Sequence, residues 1–358
     1  MRLKNFLQIF GIIAVVLTLL PFVAVDYWWI RVFDFPHAQL TTLTFLALAA
    51  YFIKFDIKRK SDYLFVTVLV ACFVFQLSKI YPYTPLAPYE VLENTANSPH
   101  KNVSIFTANV LQKNKNEDKL LSEIKRYDAD ILLFTETDRR WQNSIQSNID
   151  AKYSYKAEMP LDNTYGMLLY SKYELINPQV KFIVDDSIPS IHSLVKLPSG
   201  DIIQLVAIHP TPPMPQHNPS STDRDAEMMR TALKAMDSKY PVIVAGDFND
   251  VAWSESTSLF QNVSGLLDIR KGRGFFNTYN ADYIIFRWPL DHVFVSEHFR
   301  VKSAERGKDI DSDHFPMFVS LSLEEDGAAE QRASEPTKGQ LERARQQIKE
   351  EVEEDNGN

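Results

Sequence analysis

Apolar residues are spread so unevenly along this chain of 358 residues that no single core can absorb them. Phe6 to Val25 runs for twenty residues without a charge, long enough to cross the hydrocarbon layer of a bilayer. Two shorter runs follow, Phe35–Ile53 and Tyr63–Ser78, the second trailed by Tyr81 and Tyr83. Both have aromatic or basic ends suited to a membrane interface. No such run recurs further on, so the mean hydropathy of the whole chain is only -0.21 although 45% of its residues are hydrophobic. A cleaved leader would also follow Arg2 and Lys4, but its apolar part would be shorter, and Pro21-Phe22-Val23-Ala24-Val25 offers no small-x-small cleavage site. The pattern predicts an anchor of three transmembrane helices over residues 1–80.

Lysine and arginine set the orientation. Arg2 and Lys4 precede the first run, and Lys54, Lys58, Arg59 and Lys60 crowd the loop between the second and third, whereas the first loop has only Arg31 between Asp26 and Asp34. The positive-inside rule puts the N-terminus and the second loop in the cytoplasm, and three crossings leave the rest on the far side. The expected arrangement is a multi-pass anchor with the body on the extracytoplasmic side. No charge lies deep in the runs, so they read as an anchor and not a transport path.

Residues 81–100 are rich in proline and lack periodicity, which predicts a semi-extended tether. Residues 101–323 alternate strand-like and helix-like patterns with more strands than helices, including strand-like runs at Asp130–Phe134, Ile202–Ile208, Asp282–Phe286 and Phe315–Leu323. Hairpin-like neighbours favour a pair of mixed sheets flanked by helices, an α/β (α+β) body, over a doubly wound parallel sheet. The tail 324–358 is charged and poor in apolar residues, and is expected to be disordered or marginally helical with no face to dock. A single cysteine, Cys72, excludes an intrachain disulfide and a cysteine-based zinc site. Between 101 and 323 there are 25 basic and 29 acidic residues, which argues against a surface that holds long nucleic acid by counterion release.

The chemistry gathers at strand ends. Pro241–Val251 runs from β-branched residues into Gly246-Asp247-Phe248-Asn249-Asp250, a buried strand opening into a loop with a carboxylate and an amide two residues apart. A hard cation, a water to be deprotonated and a phosphate oxygen all need such groups. Other strand ends carry Asn109, Glu136, His209, Asp291-His292 and Asp313-His314. One such end is routine turn chemistry; six together describe a site at the rim of a sheet sandwich.

The ordered set TANV, FTETD, IHP, GDFND, PLDHVFVS and SDHFP resembles the endonuclease/exonuclease/phosphatase superfamily, whose members include deoxyribonuclease-I-like nucleases, inositol polyphosphate phosphatases and neutral sphingomyelinases. The resemblance covers about residues 101–323 and implies a four-layered α/β sandwich. It also implies a divalent-metal-dependent hydrolase of phosphate esters, with Glu136, Asn109 and Asp313 around Mg²⁺ or Mn²⁺. Asp247 would orient or deprotonate the attacking water, and Asn249 would hold a phosphate oxygen. His314 would pair with Asp291, and His209 would reach the phosphate from the opposite side, with Glu158 or Asp162 as candidate partners. His292 reads as structural. The stiff stretch Pro210-Thr211-Pro212-Pro213-Met214-Pro215 resembles that of membrane-anchored bacterial members, which implies a multi-pass protein of a bacterial inner membrane with its body in the periplasm.

Substrate contacts are expected from Arg270, Lys271 and Arg273, the one dense basic cluster of the body, and from Arg224 at a helix start. The expected substrate is a phosphate ester of a nucleic acid, a lipid or a small molecule, with nuclease-like cleavage of a phosphodiester first. A catalytically dead phosphate-binding module is the rival from another class, and the complete residue set weighs against it. No obligate protein partner is implied.

Overall fold

Two six-stranded sheets face each other in the computed structural model, which describes residues 2–20, 32–96, 98–149, 151–213 and 220–357. Pro21–Val25, Asp26, Arg31, Met214 and Pro215 lie outside the described residues. The first sheet has the order β11-β12-β1-β2-β4-β3: β1 (Asn102–Asn109), β2 (Ile131–Thr135), β3 (Tyr155–Met159), β4 (Met167–Ser171), β11 (Phe299–Arg306) and β12 (Met317–Leu323). The second has the order β5-β6-β7-β8-β10-β9: β5 (Glu174–Phe182), β6 (Pro189–Lys196), β7 (Ile202–Ala207), β8 (Val242–Asp247), β9 (Leu267–Asp268) and β10 (Asp291–Val295). Each sheet has one parallel pair at its centre, β1 with β2 and β7 with β8; the other pairings are antiparallel.

Strand alternation explains the layers. Val103, Ile105, Ile131 and Leu133 meet Ile203, Leu205, Ile243 and Val293 in the core between the sheets. The alternate residues Phe106, Ala108, Leu132 and Phe134 pack outward under α4 (Glu117–Tyr127) and α5 (Arg139–Asn148). On the other sheet Val206, Val242, Val244 and Phe294 pack under α6 (Thr222–Met236) and α7 (Glu255–Ser264). The result is the expected four-layered sandwich of mixed sheets flanked by helices.

Among the described residues three α-helices precede the body: α1 (Arg2–Leu19), α2 (His37–Phe52) and α3 (Lys60–Ile80). Among the described residues two segments are long and apolar enough to cross a membrane, Arg2–Leu19 and Lys60–Tyr83; α2 has 16 residues. The helices pack around Ala14, Ala47 and Leu69. Lys4 pairs with Asp62 at the end remote from the body, whereas the C-terminal end of α3 packs Ile80 and the following Tyr83 against Trp253 and Leu290 of the body.

Three expectations are corrected. The proline-rich segment is clamped to the body: Tyr83 Oη donates to the Ala252 carbonyl (2.6 Å), Lys271 reaches Glu90 (2.7 Å), and Val91 enters the central core. Lack of periodicity hid these contacts because an extended segment docks through isolated side chains. The tail forms α8 (Lys338–Gly357), which packs Leu341, Ala344 and Ile348 onto α6 and α7 and joins Glu351 to Arg230. Its apolar stripe is one small residue flanked by two larger ones, too narrow to stand out among the charges. Asp282–Phe286 is not a strand but a turn closed by the Phe286 amide on the Tyr283 carbonyl (3.2 Å). Its apolar residues lie in solvent, with Tyr283 63% and Ile284 79% exposed.

Candidate functional site

The parallel pair in each sheet delivers its strand ends to one rim. β1 and β2 end at Asn109 and Thr135, so Asn109 and Glu136 leave side by side. β7 and β8 run parallel up to Ala207 and Ala245, which brings His209 and Asp247 to the facing edge. Close approach there requires Gly246, whose φ is +138° and where a Cβ would lie 2.0 Å from the Ile208 carbonyl oxygen. Asp247 is in register with Asp291 across the antiparallel β8–β10 pair.

Asn109 joins the two sheets. Its Nδ2 donates to Glu136 Oε1 (2.8 Å) and Asp247 Oδ2 (3.0 Å), and its Oδ1 accepts the Leu111 amide (3.0 Å). The expected ligand role of Asn109 is therefore not what this geometry displays: both polar atoms are used to hold two carboxylates and a turn. Asp247 Oδ2 also lies 3.6 Å from His314 Nε2 and 3.8 Å from His209 Nε2. Its Oδ1 accepts the Asn249 amide (3.0 Å), closing a turn that aims the Asn249 side chain toward the Pro210 carbonyl (2.9 Å). Glu136 and Asn249 both have positive φ, 57° and 51°, a conformation costing a non-glycine residue roughly 1–2 kcal/mol. That cost is borne where the chain must turn a polar side chain back over the rim.

His314 Nδ1 and Asp291 Oδ2 are 2.8 Å apart. Burial opposes the imidazolium, but the carboxylates of Asp247, Asp291 and Asp313 outweigh it and hold the His314 pKa up at about 10. These carboxylates favour the imidazolium form, with Nδ1 committed to Asp291 and Nε2 facing Asp247. Ser312 fixes this turn from below, donating to the Asn109 carbonyl (2.8 Å) and accepting the His314 amide (3.1 Å).

These groups border a cavity of about 420 Å³ that Glu136, His209, Asn249, Asp313 and His314 line on the polar side. Two aromatics absent from the sequence expectations complete it. Tyr279 packs on His314 with ring centroids 5.0 Å apart, and Tyr165 on His209 at 5.4 Å. Tyr165 had a signal: it precedes Gly166, where a Cβ would lie 1.8 Å from the Thr137 carbonyl oxygen, so the chain is forced close to the rim there. Val32 and Phe35, between α1 and α2, also line the cavity. No sequence pattern in the body could have announced them.

Other expected residues are elsewhere. Arg270 is fully buried, bound to Asp268 (2.6 Å) and to His292 Nδ1 (2.6 Å). Lys271 is paired with Glu90, and the Arg273 guanidinium lies 4.2 Å over the Tyr89 ring. The basic cluster is spent on internal partners, so the expected substrate contacts from all three are corrected. Arg224 is buried too, held by Asp225 (2.9 Å), and donates to the Asn249 carbonyl (3.2 Å); it supports the Asn249 turn and does not line the cavity. Glu158 is engaged by Tyr170 and Lys156, and Asp162 is exposed. Among the described residues His209 Nδ1 has no hydrogen-bond partner. His292 sits between Arg270 and the Asp250 carbonyl (2.8 Å), a structural position.

Divalent cations of the Mg²⁺ class take oxygen ligands. Asp247, Asp291 and His314 form the cluster compact enough to hold an ion among the described residues, their ligand atoms lying within 4.8 Å of one another. The 2.8 Å hydrogen bond inside it makes a charge-balanced pair. Glu136 and Asp313, half-buried on the cavity wall, supply the hard, accessible carboxylate oxygens. The donor set fits a hard cation.

A sandwich of two mixed sheets with acids, amides and histidines at one rim defines a class of phosphoester-cleaving enzymes. Residues 102–314 match the profile of the Endonuclease/Exonuclease/phosphatase family, and the chain belongs to that family of phosphoester hydrolases. No curated protein matches its sequence. Among solved structures it is similar to D. rerio TDP2 complexed with a single-strand DNA product, with TM-score 0.51, 16% identity, and 62% of this chain and 99% of that one covered. It is likewise similar to the human Nocturnin catalytic domain with bound sulfate, with TM-score 0.50, 18% identity, and 68% and 99% covered. The endonuclease/exonuclease/phosphatase from Bacteroides vulgatus gives TM-score 0.50 and 19% identity, with 62% and 99% covered. At these identities the likeness extends to the fold.

Proposed function

We propose that the chain is a membrane-anchored, divalent-metal-dependent phosphoesterase that cleaves a phosphodiester by in-line attack of water. The observation that carries this reading is the position of Asp247, held by Asn109 and flanked by His209 and His314 at the cavity rim. Asp247 takes a proton from the attacking water, whose oxygen bonds to phosphorus as the opposite P–O bond breaks. The Asn249 amide and the His314 imidazolium donate to the non-bridging oxygens, where charge accumulates. Asp291 keeps the His314 ring oriented, and His209 faces the phosphate from the other side. Glu136 and Asp313 would hold Mg²⁺ or Mn²⁺, which when bound neutralises charge on the phosphate.

The anchor reading adds α2 as a third crossing. The basic residues Lys4, Lys54, Lys58, Arg59 and Lys60 sit at the helix ends away from the body, which favours an extracytoplasmic body. The test is hydrolysis of bis-p-nitrophenyl phosphate by the full chain with Mg²⁺, Mn²⁺ or EDTA. Turnover abolished by EDTA and by Asp247→Asn is expected; turnover that survives both would sink the proposal. A reporter fused at the C-terminus and active only in the cytoplasm would overturn the orientation.

A further inference from the structure

The segment that failed to become a strand, Tyr283-Ile284-Ile285-Phe286, stands 63%, 79%, 69% and 55% exposed. Four consecutive large apolar side chains in solvent have an occupant to explain. Their place in the molecule indicates which one. At its base the loop is tied to the site: the Ala281 amide donates to the Asp313 carbonyl (2.7 Å), and Tyr279 covers His314. At its tip it is tied to the helical part, where Gln39 Nε2 of α2 donates to the Ile285 carbonyl (2.6 Å). Phe286 packs near Trp288 (6.1 Å between centroids), and Trp288 meets Phe35 at 5.5 Å. The apolar tip, the start of α2 and the cavity mouth are therefore contiguous.

The cavity is two-sided in the same sense. Glu136, Asn249 and His314 make its polar wall, while Val32, Phe35 and Leu290 make an apolar wall toward the helices. The basic cluster that would have gripped a nucleic acid is consumed by Asp268, Glu90 and Tyr89. A polynucleotide would find few cations here and an apolar rim; an amphiphile would find both its halves matched.

We infer that Tyr283–Phe286 is a lip seated in the membrane interface, and that the site draws its phosphodiester from a phospholipid of the bilayer that holds the anchor. This rests on the phosphoesterase reading and names its substrate class. The phosphate reaches the polar wall while the acyl chains stay along the lip and the apolar wall. Water oxygen bonds to phosphorus, the P–O bond to one alcohol breaks, and that oxygen takes a proton from solvent.

The experiment reconstitutes the full chain into vesicles of phosphatidylethanolamine and phosphatidylglycerol and compares it with Ile284→Ser/Ile285→Ser. Phospholipid cleavage is expected to fall by about tenfold or more in the variant, with bis-p-nitrophenyl phosphate hydrolysis changed by less than about twofold, because only the former needs the lip. Independently, the indole of Ile285→Trp is expected to be quenched by brominated phospholipids. Equal phospholipid rates in the two proteins, an unquenched indole, or DNA cleaved in preference to phospholipid would each overturn the inference. Loss of soluble-ester turnover in the unmutated chain would instead strike the phosphoesterase reading, and quenching would still report on the lip.

Discussion

Two loops of the body look equally functional in the sequence, and the structure uses them in opposite ways. Gly246–Asp250 carries acids and an amide after a strand; Arg270–Gly274 carries three cations among glycines. The first sits at the cavity, which Asn249 lines while Asp247 lies buried behind it, hydrogen-bonded to Asn109. The second points inward, with Arg270 closed in a bidentate pair with Asp268 and roofed by Tyr83 at 5.9 Å. Charge density is common to both. What separates them is where the loop's side chains lead: Asn249 reaches the cavity wall, whereas Arg270 is closed against Asp268 inside the fold.

Substitution should therefore divide the two loops by what is lost. Asp247→Ala is expected to reduce hydrolysis by about 10³-fold, because it removes both the base for water and the carboxylate that lies between the two histidines. Its melting temperature, read by circular dichroism, should move little by comparison. Arg270→Ala should do the reverse. Stranding Asp268 as a buried charge costs about 3–5 kcal/mol, seen as a lower denaturation midpoint, while the folded fraction keeps its KM. A large KM change with unaltered stability would place Arg270 at the substrate after all. Next in size is Asn109→Ala, which lets the Glu136 and Asp247 carboxylates repel. About 10–100-fold loss of kcat or of metal affinity is expected, by analogy with outer-shell partners of metal ligands.

The body's fold was legible because its strands alternate cleanly: Val103/Ile105 inward and Phe106/Ala108 outward is a pattern readable without coordinates. The meeting of polar residues at one rim was legible through their order at strand ends. The basic loop misled because a sequence shows charges but not their partners, and Asp268 and Glu90 come from a short strand and a proline-rich segment with no periodic signal. The docking of α8 was hidden for a related reason. Its stripe of Leu341, Ala344 and Ile348 is narrow, and α6 and α7 complete it from far earlier in the chain. Strand-like composition at Asp282–Phe286 reads as a pairing signal, yet β-branched and aromatic residues form a ladder only where a partner strand lies beside them, and this run closes into an exposed turn.

Glu227 sharpens the comparison as a third kind of buried charge, one with weak compensation. It is 3% exposed on α6, and among the described residues its Oε1 has no hydrogen-bond partner. Burial raises its pKa to about 8, with Arg230 only partly opposing. The sign of the consequence follows from linkage. Between the ordinary glutamate value of 4.5 and about 8, the folded protein keeps a proton that the unfolded chain has shed. The stability Glu227 contributes is thus full below pH 4.5 and is lost as pH rises toward 8. Glu227→Gln carries no proton to lose. The variant is expected to match the unmutated chain near pH 5 and to melt a few degrees higher near pH 9, by calorimetry at both pH values. Such a gain would be absent if Glu227 were ionised in the fold with Arg230 as its partner, because removing a paired carboxylate would lower the melting temperature at pH 9. The smallest of these effects thus extends the comparison to a carboxyl that does not line the cavity: buried and weakly compensated, Glu227 costs the fold stability as it ionises.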